Sequence, residues 1–218
     1  ATVAHNAIDS SVTARAQQLD LLQTRRTGID IDARSNGEIE ALIFALGAAA
    51  SVGGTAGINF AGSFSDARNS IVTDTRALLA DTTVRSAGNV TLDAHQSAEI
   101  DAEVRAAAAS VAAGISAGIG IAVGSAQATN TIGGAIDSAA RGEVSAIARN
   151  LDLEAKGSVR LTADNTAVIN ALVDAKSAGL AGGKAGVAAT GAGSDASNRI
   201  GIDVKALADG SSITARDD

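Results

Sequence analysis

The triplet Asn-x-Ile recurs four times, at Asn6-Ala7-Ile8, Asn69-Ser70-Ile71, Asn130-Thr131-Ile132 and Asn198-Arg199-Ile200, at spacings of 63, 61 and 68 residues. A repeat of that period constrains the fold more than any other feature, because each unit must solve the same packing problem in the same way. Two further motifs keep the rhythm. Gly28-Ile29-Asp30-Ile31-Asp32-Ala33, Gly88-Asn89-Val90-Thr91-Leu92-Asp93-Ala94 and Gly157-Ser158-Val159-Arg160-Leu161-Thr162-Ala163 each read as Gly followed by alternating aliphatic and polar residues. Glu38-Ile39-Glu40-Ala41, Glu99-Ile100-Asp101-Ala102 and Val168-Ile169-Asn170-Ala171 follow at once, and each leads into about thirty residues dominated by Ala, Gly, Val and Ile. The chain therefore divides into units at 6–68, 69–129 and 130–197 and a partial unit at 198–218, a single repeat array.

Within each unit the period is two. From Ala98 to Ala108 the even positions are Ala, Ile, Ala, Val, Ala, Ala, while the odd ones begin Glu99, Asp101, Glu103, Arg105. Ile115, Ala117, Ile119, Ile121 and Val123 share one face, and Ser116, Gly118, Gly120, Ala122 and Gly124 the other. Such alternation belongs to strands with one face buried. The competing expectation is a capped helix over Ser97–Gly114, since Ala is a strong helix former. Against it stand the alternation kept in all three units and the Gly and β-branched residues that follow, which helices disfavour. Asn36-Gly37, Ser86-Ala87-Gly88, Ala155-Lys156-Gly157 and Asp209-Gly210 supply residues that tolerate positive φ, and mark expected turns between four or more strands per unit. A sixty-residue unit of this kind cannot bury its apolar face alone, whereas stacked copies share a continuous core. The expected fold is all-β: a repeat β-solenoid, parallel β-helix-like, built from units of about 60 residues. Each repeat either winds as three small coils or forms one large coil with the Asn-x-Ile motifs directly above one another. The long Ala/Gly runs favour the large coil, and their small side chains would let two sheets approach closely.

Composition removes most chemical functions. There is no Cys and there are only two His, so structural zinc, iron–sulfur clusters, disulfides and thiol nucleophiles are excluded. Seventeen basic against 24 acidic residues, without a basic cluster and with three Phe as the only aromatics, leave neither a phosphate-neutralising surface nor a base-stacking platform. The low-charge stretch from Ala106 to Asp137 is broken by Gly114, Gly118, Gly120 and Gly124 and reads poorly as a transmembrane segment. With 46% hydrophobic and 19% charged residues, disorder is not expected. Proline is absent where average usage would give roughly 11. An Ala at position 1, no signal peptide and a last unit that stops partway read as a piece of a longer chain.

The run Gly88–Ala94, then Ala98-Glu99-Ile100-Asp101-Ala102, then an Ala/Gly stretch ending in Ala128-Thr129-Asn130-Thr131-Ile132, resembles the repeat region of giant Gram-negative filamentous adhesins. The resemblance is nearer to the leukotoxin-type filamentous adhesins and more distant to filamentous haemagglutinin-like proteins exported by two-partner secretion. The resemblance covers essentially the whole chain and implies a surface-attached or released, repeat-built stalk at the bacterial cell surface. Missing Cys and Pro agree with export in an unfolded state, since nothing oxidises early and no slow isomerisation delays folding outside.

The candidate sites are few. His5 and His95 are isolated, and His95 is expected at a solvent-facing strand position. Glu99, Asp101 and Glu103, like Asp30 and Asp32, occupy an outward face at i, i+2 and lack the nonapeptide of calcium-binding β-rolls. No cofactor is expected; the one option left is weak calcium bridging between stacked carboxylates, with no place assigned to it. Asn6, Asn69, Asn130 and Asn198 are the most regular polar residues. They could form a ligand-contacting row, but the expectation is structural: amides that satisfy backbone groups or stack into a ladder. Gly28, Gly88 and Gly157 are the matching repeat positions at the turns. Lys184 in the Gly179–Gly193 stretch lacks the spacing of a phosphate loop. Phe44, Phe60 and Phe64 are expected to fill a wider part of the core in the first unit, with an exposed patch as the alternative. The expected function is a non-catalytic structural segment of an extracellular fibre or adhesin stalk; the alternative is an adhesive module for a host, surface or glycan ligand. No set of residues converges for catalysis. The expected partners are neighbouring repeats and other copies of the chain, not nucleic acid.

Overall fold

The computed structural model describes residues 1–216, and every regular element among them is a β-strand. The last two residues of the partial fourth unit lie outside the described residues. Strands β1 (Thr2–Gln17) and β2 (Leu22–Gln23) run along one sheet. The chain then passes to a second sheet as β3 (Ile29–Gly53), reverses at Gly54-Thr55 and returns along the first sheet as β4 (Ala56–Ser86). The circuit is repeated by β5 (Val90–Gly114), β6 (Ala117–Ile132) and β7 (Gly142–Ala155), and again by β8 (Val159–Gly182), β9 (Ala185–Ile200), β10 (Ile202–Asp209) and β11 (Ser212–Ala215). Strands β3, β5 and β8 form a three-stranded sheet; the other strands form an eight-stranded one, and all pairings are parallel. The fold is a parallel β-helix-like solenoid.

Register partners lie 60 to 69 residues apart in both sheets, so one repeat makes one large coil. The three-small-coil winding and the helix over Ser97–Gly114 are both replaced by single long strands. At 25 residues, β3 and β5 each span about 80 Å. The expected four or more strands per unit are two in the first circuit, three in the second and four in the third, and the long strands run through Asn36-Gly37 and His95-Gln96-Ser97, which continue the in–out alternation instead of breaking it. Asn36-Gly37 is therefore not a turn; Gly37 points at the Ile71 side chain in the opposite sheet.

The turn glycines are needed for space, not for positive φ. Gly28, Gly88 and Gly157 sit one above another at the passage between sheets, and none has a left-handed backbone. A Cβ on Gly28 would meet the Asn89 carbonyl, one on Gly157 the Asn89 amide oxygen, and one on Gly88 would lie 3.0 Å from the Gly28 nitrogen. At the expected Asp209-Gly210 turn Gly210 does take positive φ, and it belongs to a column whose other members the motifs did not reveal. Gln18, Asp81, Asn150 and Gly210 all have φ between 50° and 56°, and they occupy the same place in the four levels of the eight-stranded sheet. Together they make a stacked bend at the wide end. Asn, Asp and Gly tolerate this conformation best, and Asn150 Nδ2 donates to Asp81 Oδ1 across it (2.9 Å).

The core tapers along the strands. Beside the 87–89 turn it is built from Ile31, Leu79, Val84, Leu92, Val144, Leu151 and Leu153. Ile39, Ile71, Ile100 and Ile132 alternate with alanines in the middle. Further along come Ile43 and Val104 among alanines, and then Ala61, Ala108 and Ala122 alone. Beyond them the sheets touch backbone to backbone: a Cβ on Gly120 would lie 3.0 Å from the Leu180 carbonyl oxygen, and one on Gly186 2.8 Å from that of Ala181. Side-chain size sets the gap, which falls from the ordinary separation of about 10 Å to direct contact. The cross-section is a wedge.

At the thin margin the small face turns inward. Gly118, Gly120, Ala122 and Gly124 are buried, leaving Ile119 and Val123 outside. Hydrophobicity alone would assign these faces the other way. Once Gly57 and Gly118 are fixed inside, a period of two forces their aliphatic neighbours outward. The same constraint corrects the expectation for the phenylalanines. Phe44, Phe60 and Phe64 do not fill the core; they are 58%, 65% and 38% exposed, because their neighbours Ile43, Ala61 and Ser63 take the inward positions.

Candidate functional site

The four asparagines of the repeat stand in one column inside the solenoid. In parallel register Asn6 lies over Asn69, Asn69 over Asn130 and Asn130 over Asn198. Asn6 Nδ2 donates to Asn69 Oδ1 (2.9 Å), Asn69 Nδ2 to Asn130 Oδ1 (2.8 Å) and Asn130 Nδ2 to Asn198 Oδ1 (2.9 Å). Asn69 and Asn130 are fully buried. A primary amide carries both a donor and an acceptor, so each residue satisfies the level above and the level below with one side chain. Neither Ser nor Asp can repeat that pattern in one direction at this reach. The column sits between the isoleucines of the middle core and the Ala/Gly margin, and its amides face one another, not a cleft.

The outward faces carry the charge. Glu38, Glu40, Glu99 and Asp101 project from the three-stranded sheet into solvent. Register places Glu38 against Glu99, Glu40 against Asp101 and Asp32 against Asp93, like-charge contacts that cost a little each. Among the described residues no three His, Asp or Glu side chains stand close enough to hold a metal ion. His5 is exposed; His95 shares its column with Arg34 and Asp164, its Nδ1 lying 3.1 Å from Asp164 Oδ2. Arg34 bonds Asp32 (2.9 Å), which holds its guanidinium protonated beyond the usual arginine value. Arg85 is raised likewise by Asp152 (2.7 Å) at the wide end, where a surface hollow is lined by Thr24, Arg85, Glu154, Lys156 and Arg216. Arg85 and Arg216 both reach Glu154 there, while Arg25 and Lys156, which also line the hollow, form no ion pair among the described residues.

One carboxylate ties three levels together. Partial burial opposes ionisation of Glu143, but donation from the Ser145 hydroxyl and from Arg76 Nη2 (3.0 Å), with Lys205 on the other side, outweighs it and holds the group below the usual carboxylate value. A depressed carboxylate stabilises the fold at every pH above the unfolded-chain value of about 4.3, and that contribution is lost as pH falls through the lower folded value. Replacing Glu143 by Gln should lower the melting temperature at pH 7 by about 1–3 °C. The difference from the parent should shrink as pH falls below the unfolded-chain value and vanish below the lower folded one, as read by thermal melts across the acid range.

The margin beyond the Asn column is uncharged on the eight-stranded sheet over residues 56–64, 117–125 and 185–193. Its outward rows stack Ile58, Ile119 and Val187, and beside them Phe60, Ile121 and Ala189. On the opposite face Val52, Val111 and Leu180 are exposed at the margin, while Leu42, Phe44, Leu46 and Leu172 share their columns with Glu103, Arg105, Asp174 and Lys176. No helix among the described residues is long and apolar enough to cross a membrane. What the molecule offers is thus an internal polar ladder, a charged outer face and an apolar blade. Comparison with protein-family models, curated proteins and solved structures finds nothing that matches the chain.

Proposed function

We propose that the chain is a structural, non-catalytic segment of an extracellular or cell-surface fibre, in which stacking of repeats supplies both shape and stability. The observation that carries this reading is that every level pairs in parallel with the next in both sheets. Such an architecture propagates: each added coil buries the face of the one before it. It advances by only about 4.8 Å per coil of 60 to 69 residues. A fibre built this way is a broad ribbon that gains width and wall area at the expense of reach, which agrees with the resemblance to very long adhesins. Antibodies raised against the purified chain should decorate surface filaments on cells that make the parent protein. Label confined to the cell interior would overturn the reading. In solution the plate-like shape corresponds to a radius of gyration of about 24 Å from its strand dimensions, against about 17 Å for a compact globule of this length.

The apolar blade favours a second reading, an adhesive module. Contiguous apolar surface of this kind marks contact sites. Retention on immobilised host or abiotic surfaces should then fall in the triple variant Phe44→Ser/Phe60→Ser/Phe64→Ser. Its melting temperature should stay within a few degrees of the parent, since all three side chains are outside the core. Unchanged retention would dismiss this role.

A further inference from the structure

Four cations gather at the wide end of the solenoid, although they form no cluster in the sequence. Arg25, Arg85, Lys156 and Arg216, one from each level, line a hollow of about 330 Å³, the lower end of ordinary small-molecule sites. The backbone ladder brings them together by running on into the turn between the sheets. Thr24 N donates to the Arg85 carbonyl, Lys156 N to that of Ser86 and Arg216 N to that of Ala155, each at 3.0 Å. The residues that follow the aligned Thr24, Ser86, Ala155 and Ala215 are Arg25, Ala87, Lys156 and Arg216. Levels lie about 4.8 Å apart, so the backbones at Arg25 and Lys156 are roughly 10 Å apart with only the Ala87 methyl between them. The hollow is the space that a small residue leaves between two long cations.

Two of the four cations are already taken. Arg85 Nη2 lies 2.7 Å from Asp152 Oδ2 and its Nε 3.2 Å from Glu154 Oε2, and Arg216 reaches Glu154 Oε1 at 3.5 Å. Arg25 and Lys156, both exposed, have no carboxylate partner among the described residues. In a chain of net charge −7, two such cations facing one space reverse the local field and draw anions to it. The hydroxyls of the floor belong to the turn. Thr24 Oγ1 donates to the Thr27 carbonyl (2.6 Å) and accepts from Ala87 N (3.1 Å), while Ser86 Oγ accepts from Gly88 N (3.3 Å). Recognition therefore falls to the charged side chains above a fixed floor. A monoanion balances one of them, whereas a phosphate dianion can accept from the guanidinium fork and the ammonium together. An inorganic ion would leave much of the hollow unfilled, and the remaining walls, Gln23 and Ala155, suit a small polar organic group.

We propose that this hollow binds the phosphate group of a small phosphomonoester, held between the Arg25 guanidinium and the Lys156 ammonium across Ala87. The site goes beyond the fibre reading and does not depend on it. The test is a titration of the full chain at low ionic strength with glycerol phosphate, inorganic phosphate and glycerol, followed through backbone amide NMR shifts. Glycerol phosphate should give saturable shifts at millimolar concentration, confined to residues 24–26, 86–88 and 155–157; inorganic phosphate should bind severalfold more weakly and glycerol not at all. Arg25→Gln and Lys156→Gln should each weaken binding about tenfold. Lys184→Gln removes the same charge from an exposed turn at the thin margin and should leave affinity within about twofold of the parent. Ala87→Glu sets a carboxylate between the two cations and should abolish binding, with a melting temperature close to the parent's because Ala87 is a half-exposed turn residue. Shifts that do not saturate, or an equal loss in Lys184→Gln, would mean that the charge attracts anions without a site and would overturn the proposal. Inorganic phosphate binding as tightly as the ester would overturn it too, by assigning the hollow to the free ion. None of these results bears on the surface labelling of filaments, so the two readings stand or fall separately.

Discussion

Replacing Gly118 by valine should lower stability by about 3 kcal/mol or more, a fall in melting temperature of about 6–12 °C. Gly118 is buried in the middle level, where a Cβ would strike the carbonyl oxygen of Gly182 and lie 3.0 Å from that of Ala112. Both are backbone atoms of the opposite sheet, held in parallel ladders to their own neighbours, so neither can rotate away. The two sheets would have to separate along the margin, opening gaps beside Ala108 and Ala122, which have no longer side chains to fill them. Gly191 supplies the control, since a Cβ there meets nothing within 4 Å. Gly191→Ala should change stability by less than about 1 kcal/mol, with a gain from the stiffer unfolded chain. Urea titration followed by far-ultraviolet circular dichroism separates the two. If Gly118→Val melted with the parent, the sheets would not be in backbone contact and the wedge description would fail.

The parts of this fold that could be read in the sequence are those that depend on period. The 61- to 68-residue spacing of the asparagines gives the coil size, and the two-residue alternation gives strands in place of helices. The Ala/Gly runs announce a thin cross-section. What could not be read is which face of a small-residue strand turns inward. Hydropathy ranks Ile119 above Gly118 for burial, but the gap between the sheets is set by the smallest residues on both sides, and only the opposite strand shows that Gly118 faces Gly182. The exposure of Phe44, Phe60 and Phe64 follows from the same rule, as period two leaves them no inward position. Of the bend column only the Asp209-Gly210 turn was legible, and the other three members were missed for another reason. Gln18, Asp81, Asn150 and Gly210 share a conformation but no residue type, and Asp81-Thr82 and Asn150-Leu151 carry no turn pattern. Aligning the units on Asn-x-Ile sets Gln18, Asp81 and Gly210 at one offset but leaves Asn150 out of step, because the extra residues between Ile132 and Gly142 intervene in that unit.

Asn130→Leu should cost about 2–4 kcal/mol, although leucine fills nearly the same volume and suits the neighbouring core. The substitution removes two hydrogen bonds, and it strands the Asn69 amide, which is fully buried and has Asn130 Oδ1 as its acceptor at 2.8 Å. A buried donor without a partner costs about 1–3 kcal/mol, more than the bond itself contributes. Asn198→Leu should cost less than about 1 kcal/mol in the isolated chain, because Asn198 is exposed and its loss leaves only the Asn130 amide to find water at the open end. The ladder's larger contribution is to register. A slip of one residue in any level would send its whole apolar set outward, but at Ala-rich positions little apolar area is at stake. The amide column makes such a slip leave unpaired polar groups in the core as well. Asn130→Asp tests this directly. The ionised carboxylate of that variant can accept from Asn69 but has no proton to donate to Asn198 Oδ1. The variant should therefore be destabilised at pH 7 and recover as acid protonates it, when the hydroxyl can donate again. Burial of the carboxylate raises its pKa, so this recovery should begin above the ordinary carboxylate range. A pH-independent loss in Asn130→Asp would mean that the column acts through packing alone and that its hydrogen bonds do not hold the coils in phase.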